Sequence, residues 1–468
     1  MLYDQLKQYC KSDVYPFHMP GHKRCDIIGD GCLPYTLDLT EIPGFDNLHA
    51  PSGCIKRAEE LAAELYGVKH AIISVNGATG GILSSVKAMT KRGDHILMAR
   101  NCHQSVYHAV QLLGLVPEYI FPDSITDGYK LSIYGGVNVQ SIEKQLIINP
   151  DIKFVIVTSP TYEGVCSDIK EIAQTCHKYG VMLFVDEAHG AHFPFHKRFP
   201  PSAISCGADA AVVSLHKTLP ALTQTALLLT NNPVLAQKLR GNMSVFESSS
   251  PSYILMASVE RCLNYVKTNP DEFDLYIKRL ELFYNRTKSL KHLFVFDPDS
   301  SIVAVRDIGK IIIFTTHTDL TGHELAEKMR SSHHLETEMA SVDYVIAVTS
   351  VCDTDDGFDR LFHALSEIDK ACKTKIAPTF SIPYQAPQKA QLPFEADDRK
   401  GCLCSFLKAS DKVSLEFITA YPPGIPLIVP GEVISDEMIE YIAHLQRNGA
   451  EIISSAKNMP DSVLVAEM

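Results

Sequence analysis

The chain is 468 residues long, 46% hydrophobic and 21% charged, with a formal net charge of −12. That length exceeds one hydrophobic core, so two or three domains are expected; the apolar content argues against a disordered chain and the acidic balance against non-specific nucleic-acid binding. The 13 cysteines are scattered without a CxxC pair, MLYDQLKQYCKSD has no basic-then-apolar pattern, and no apolar run approaches the roughly 20 residues of a membrane span, which together predict a cytoplasmic protein with reduced thiols and no metal site.

Residues 1–50, rich in Pro, His and Gly, read as an irregular arm containing FHMPGHKR. From residue 54 the pattern becomes regular. CIKRAEELAAELYG places Ile55, Leu61, Ala62 and Leu65 on one helical face and stops at Gly67. HAIISV (70–75) reads as a strand, followed by a glycine-rich turn and a helix. HILMA, PEYIF, KFVIVTS, VMLFV, AAVVS and TALLLT continue the series, with a helix near 168–179. Strands that are apolar throughout and alternate with helices predict a mostly parallel sheet covered on both faces. A long helical stretch follows near 252–290. SIVAVRD, KIIIFTT, the helix ELAEKMRS and YVIAVTSV then predict a smaller α/β domain ending near 372. Residues 373–396 are Pro-rich and read as a linker, and ITAYPPGIPLIVPGE precedes a final helix. The expected divisions are an arm (1–50), a large domain (51–270), a small domain (271–372) and a C-terminal domain (373–468).

Ligands of open α/β sheets bind beyond the C-terminal ends of the strands. In this chain those ends carry NGATGG (76–81), RNCHQS (100–105), PTYEG (160–164), DEAHGAH (186–192) and SLHKT (214–218). Each piece has an ordinary reading. NGATGG can be a tight turn, Asp186 a helix cap, His189 and His192 loop histidines, and Lys217 a lysine snorkelling to solvent. His189 and His192 lack a third ligand at a recognisable spacing. Taken together they call for a ring with a phosphate handle, a protonatable nitrogen and an aldehyde: amides at a helix start for the phosphate, a carboxylate for the ring nitrogen, a lysine for the Schiff base. Pyridoxal 5'-phosphate has those groups.

FHMPGHKR, DLTEIPGFDNLHAPSG, NGATGG, RNCHQS, PTYEG, VDEAHGAH, SLHKTLPALTQ and YPPGIPLIVPGE, in this order, resemble the pyridoxal-phosphate-dependent ornithine/lysine/arginine decarboxylases over nearly the whole chain. The resemblance implies the aspartate-aminotransferase-like fold (fold type I): a mostly parallel seven-stranded sheet in a large domain, plus smaller α+β C-terminal domains. It implies that Lys217 forms the Schiff base, Asp186 pairs with the pyridine nitrogen, His103 stacks on one ring face and Ala188 packs on the other. Ala78, Thr79 and Gly80, joined by Ser214 and His216, would bind the phosphate. His189 would lie near the ring hydroxyl, at a point where some relatives carry an aromatic residue. The arm with His18, His22 and Lys23 resembles a family segment at the dimer interface, and SSSPSY (248–253) one that reaches the neighbouring subunit's phosphate. The chain starts almost directly at FHMPGHKR, as short members without the receiver-like domain do, which implies a homodimer or dimer of dimers with active sites at the subunit interface.

The implied reaction removes the α-carboxylate of a small basic amino acid as CO2 and returns a proton from Lys217 or His216. Arginine is favoured over lysine and ornithine, and Glu41, Asp46 and Glu338 are the carboxylates offered for the distal cation. The competing readings are another enzyme of the same fold (an aminotransferase or an α-oxoamine synthase, which DEAHGAH also resembles) and a non-catalytic cofactor-binding regulator.

Overall fold

The computed structural model describes residues 1–12, 14–16, 18–20, 22–25, 33–123, 133–297, 305–375, 387–421, 424–459 and 461–467. Phe17 and Gly21 of FHMPGHKR, Pro422 and Pro423 of YPPGIP, residues 301–304 of SIVAVRD and 376–386 of the expected linker lie outside them.

Seven strands form the principal sheet: β1 (His70–Ser74), β2 (His95–Ala99), β3 (Val116–Ile120), β4 (Ile152–Thr158), β5 (Met182–Asp186), β6 (Ala210–Ser214) and β7 (Ala226–Thr230). Their order is β1-β7-β6-β5-β4-β2-β3. β2 pairs parallel with β3 and β4, and β5 with β6, while β7 runs antiparallel to β1 and β6. The expected mostly parallel sheet is present. β3 carries Pro117 and takes the edge, where a missing N–H costs no ladder bond.

The chain divides into two compact units, each discontinuous in sequence: Met1–Thr90 with Met182–Asp274, and Lys91–Val181 with Leu275–Met468. In the first, β1, β5 and β6 point the same way, because each of β1 and β6 is antiparallel to β7. Ser74, Asp186 and Ser214 therefore end at one edge. The helix Gly77–Met89 lies against β6 and β7, and Gly81 permits that approach: a Cβ there would stand 2.8 Å from Val212 Cγ2.

Two expectations in this unit need correction. The arm is not wholly irregular: Leu2–Cys10 is a helix. Nine residues are marginal as an isolated helix. Here Leu2 and Leu6, one turn apart, are buried, and the buried Glu260 carboxylate accepts the amides of Leu2 (2.8 Å) and Tyr3 (3.0 Å). The helix Cys54–Tyr66 buries Ile55, Ala58, Glu59, Ala62 and Tyr66, with Leu61 and Leu65 only half-buried. Glu59 can occupy the inner face because Arg240 pairs with it at 2.6 Å and Ile73 N donates to it at 3.2 Å.

The second unit adds β8 (Phe294–Val295), β9 (Lys310–Phe314), β10 (Met339–Ala340) and β11 (Tyr344–Val348), an antiparallel sheet in the order β10-β11-β9-β8. Phe296, Ile312, Phe314, Met339, Tyr344 and Ile346 form its core. Residues 305–307 of SIVAVRD are not a strand. β12 (Gly401–Ser405) pairs with β16 (Ser462–Ala466), and β13 (Ile418–Tyr421) lies between β14 (Ile425–Ile428) and β15 (Glu451–Ser454). Ile418, Ile428, Ile434 and Ile442 join the core beneath the helix Asp436–Arg447. Part of the expected linker is ordered structure. Pro393–Asp397 is a short helix with proline in its first turn, and Glu395 returns a carboxylate to Leu392 N at 3.0 Å.

Candidate active site

In the first unit, β5 delivers Asp186 at its C-terminal end with only 3% of its surface exposed. Asp186 Oδ1 accepts Ala188 N at 3.1 Å. Burial pushes the carboxyl above the ordinary range, against the charge of Lys217 and the Ala188 amide, which pull it down. The loop then turns back, and Ala188 O accepts Ser214 N at 3.3 Å, so the DEAHG loop is clipped to the end of β6.

The sequence predicts a strand running straight into SLHKT. The strand stops at Ser214, and Leu215–Thr218 form one helical turn. Leu215 N donates to Thr225 O at 3.0 Å, which anchors the turn. Lys217 is half-buried, and its Nζ lies 2.9 Å from Nε2 of the buried His189. His216 Nδ1 donates to Thr225 O at 3.0 Å, so its proton sits on Nδ1 and Nε2 is left as an acceptor. Burial lowers the His216 imidazole pKa, the Thr225 carbonyl opposes this, and the Lys217 charge adds to it.

The helix Gly77–Met89 starts in the same neighbourhood, because Gly77 N donates to Gln224 O at 2.8 Å, next to Thr225. Ala78 and Thr79 are in its first turn, where amides have no intrahelical acceptor. Gly80 N donates to Asn76 O at 3.1 Å. Lys217, His189, Asp186, Ala188, Ser214, His216 and the Ala78–Gly80 turn are thus tied together by backbone and side-chain bonds. A primary amine, a buried carboxylate, two imidazoles and free helix-start amides fit the donor set that an anionic, aldehyde-bearing heteroaromatic cofactor needs.

Sequence reasoning missed Glu187. It is buried beside Asp186, with Oε1 accepting Ala203 N at 2.8 Å and burial pushing its carboxyl up to about 8. Alternation along an extended chain turns it away from the Asp186 face, a signal the sequence did contain. Asp46, offered as a substrate contact, is otherwise engaged. Its oxygens accept the amides of Asn47, Ser52, Gly53, Ile55 and Lys56 at 2.7–3.2 Å, capping the helix Cys54–Tyr66. Glu41 is half-buried in this unit. In the arm, His18 Nε2 meets Tyr9 OH at 2.9 Å, His22 Nε2 meets Asp38 at 3.3 Å, and Lys23 Nζ donates to His18 O at 2.7 Å. Ser252 of SSSPSY caps the helix Tyr253–Thr268.

In the second unit, RNCHQS follows β2, and His103 is the N-cap of the helix Gln104–Leu113. Its Nδ1 accepts Ser105 N at 3.2 Å and lies 2.8 Å from Ser105 Oγ. Gln104 N donates to Gly424 O at 3.1 Å, which brings Gly424 onto this loop. After β4, Tyr162 OH donates to the exposed carboxylate of Glu338 at 2.5 Å.

Residues 1–330 match the family model described as Orn/Lys/Arg decarboxylase, major domain, and residues 370–452 match the Orn/Lys/Arg decarboxylase C-terminal domain. The chain belongs to the Orn/Lys/Arg decarboxylase family. It is similar to the arginine decarboxylase of Bacillus subtilis (strain 168), 32% identical over 94% of this chain and 92% of the relative. The similarity to the lysine decarboxylase LdcA of Pseudomonas aeruginosa is 25% identity over 54% of this chain and 38% of that one. The crystal structure of the Francisella novicida lysine decarboxylase LdcF superimposes with a TM-score of 0.83 at 19% identity, covering 100% of this chain and 81% of that chain. The decarboxylase thus has the fold-type-I architecture expected from its sequence. Among its described residues no helix is long and apolar enough to cross a membrane.

Proposed function

We propose that this chain, a decarboxylase by family, converts arginine to its amine and CO2 with pyridoxal 5'-phosphate as cofactor, acting as a homodimer or a dimer of dimers. The observation that carries the reading is the Lys217 Nζ–His189 Nε2 contact of 2.9 Å on a buried shelf beside Asp186. Arginine is favoured because the arginine decarboxylase relative matches over nearly its full length, whereas the lysine decarboxylase relative matches over about half of this chain.

When bound, the cofactor ring supplies a sink for the electron pair left as CO2 departs. The residues supply the rest. Lys217 is the amine that would anchor the aldehyde, and its Nζ lies 2.9 Å from Nε2 of His189, within reach of a proton passed between them. His216 keeps its own proton on Nδ1, bound to Thr225 O, which leaves Lys217 as the proton donor to the product carbon. Asp186 would pair with the ring nitrogen and favour its protonated form. Ala78 and Thr79 present amides and the positive end of a helix to the phosphate, with Ser214 and His216 beside them. By the family resemblance Ala188 would pack on one ring face and His103 would stack on the other. Of the three acids offered for the distal guanidinium, Asp46 is used in capping, which leaves Glu41 and Glu338, the latter exposed and bonded to Tyr162.

The test is CO2 release from arginine, lysine and ornithine by the protein supplied with pyridoxal phosphate, beside Lys217→Ala. Turnover of arginine that the variant lacks is expected. Turnover of lysine or ornithine alone would overturn the substrate assignment. A bound cofactor without CO2 from any of the three would overturn the reaction.

A further inference from the structure

We infer that Arg100 is a positioning residue that fixes His103 by locking residues 424–432 onto the RNCHQS turn; the inference rests on the role proposed above for His103. Arg100 is 8% exposed and directly follows β2, with its side chain turned to the C-terminal segment. One terminal nitrogen donates to Tyr107 OH (2.8 Å) and Pro426 O (2.7 Å), the other to Leu427 O (3.0 Å) and Glu432 Oε2 (3.2 Å). Tyr107 OH in turn donates to Arg100 O at 2.5 Å, and Val429 N donates to the same Glu432 oxygen at 2.8 Å. The guanidinium carbon lies 5.4 Å from the centre of the Tyr107 ring and 5.3 Å from that of Tyr119. One planar fork thus gathers two consecutive carbonyls, a buried carboxylate and a phenol, an arrangement a lysine ammonium cannot reproduce.

What this clamp holds is the wall of His103. His103 lies three residues after Arg100, and Gly424 two residues before Pro426. Gln104 N donates to Gly424 O at 3.1 Å, and a Cβ built on Gly424 would lie 3.6 Å from His103 Nε2. Gly424 has φ +86, a conformation that suits glycine, so the backbone itself borders the imidazole. Both sides of that contact are within three residues of a bond made by Arg100. The buried Glu432 has no role in the chemistry proposed above, and the clamp accounts for it.

The experiment compares Arg100→Lys, Arg100→Met, His103→Ala and the Arg100→Lys/His103→Ala double variant as holoenzymes, reading kcat, KM, visible circular dichroism of the bound cofactor and melting temperature. Arg100→Lys should lower kcat by about tenfold or more, with KM changed by less than about threefold, and should alter the cofactor dichroism. In the His103→Ala background the same change should cost less than about twofold. Equal losses in both backgrounds would make Arg100 merely structural and overturn the inference, as would an Arg100→Lys enzyme with wild-type kcat and dichroism. A His103→Ala enzyme with full activity would also overturn it. CO2 release by the wild type, scored in the same assay, separates these failures from a failure of the decarboxylase reading. Should Arg100→Met not fold, Arg100→Lys still decides.

Discussion

Asp186→Asn isolates one charge. The asparagine oxygen can still accept Ala188 N, now bonded at 3.1 Å, so the clip between the DEAHG loop and β6 remains. What is lost is a buried negative charge, and a hydrogen bond to a charged group contributes about 1.5–3 kcal/mol. At about 1.4 kcal/mol per tenfold in rate, kcat/KM for arginine should fall roughly 10- to 150-fold. The cofactor-free protein should respond in the opposite sense. Burial raises the Asp186 pKa in the folded state, so the group's contribution is fully present below its unfolded value and is lost as pH rises above it. Removing the titration should therefore make the cofactor-free variant at least as stable as the wild type near pH 8, with the advantage shrinking toward pH 4. Steady-state CO2 release and thermal melts across that range read both effects. A variant within about threefold of wild-type kcat/KM would refute the role of the charge, and a cofactor-free variant that melts lower at pH 8 than the wild type would refute the burial argument.

Glu187, pushed up to about 8 by burial, should give the wild type a loss of stability between about pH 4.5 and 8, up to about 1.4 kcal/mol per pH unit, because the unfolded chain has released the proton that the folded one keeps. Denaturant titrations of Glu187→Gln against wild type should show that slope disappear, and parallel pH profiles would contradict it. Glu260→Ala removes the acceptor of the Leu2 and Tyr3 amides. Hydrogen exchange and limited proteolysis should then accelerate in residues 1–12 ahead of the rest of the chain; unchanged protection there would show that the burial of Leu2 and Leu6 suffices without the cap.

The strands and their polar ends were legible because both signals are local. Apolar runs such as AAVVS and MLFVD stand out in any window, and the residues after them are read off directly. Pairings that cross the chain were not. Glu59 and Arg240 are 181 residues apart and Arg100 and Glu432 332 apart, and neither separation leaves a mark on sequence periodicity. A buried acid in a helix reads as an interruption of the apolar face until its partner is known, which is why Leu61 and Leu65 looked like better core positions than Glu59. The arm helix failed for the opposite reason: its two buried leucines are too few for a periodic signal, and the Glu260 carboxylate that accepts its first amides is more than 250 residues away.

Asp46 and Asp186 differ in the number of amides each carboxylate accepts. Asp46 accepts five amides, and Asp369 accepts those of Lys291, His292 and Leu293. Amides hold both carboxyls below the ordinary range although burial alone would raise them. A ligand would have to displace bonds that already satisfy those charges. Asp186 accepts one amide and ends above the ordinary range, so a cationic group beside it would relieve a cost the fold itself leaves standing. In the sequence, Asp46 within FDNLHAPSG and Asp186 within VDEAHGAH look equally suited to meet a ligand. The difference lies in the backbone that folds around each: five amides bind Asp46 at the start of a helix, and one binds Asp186.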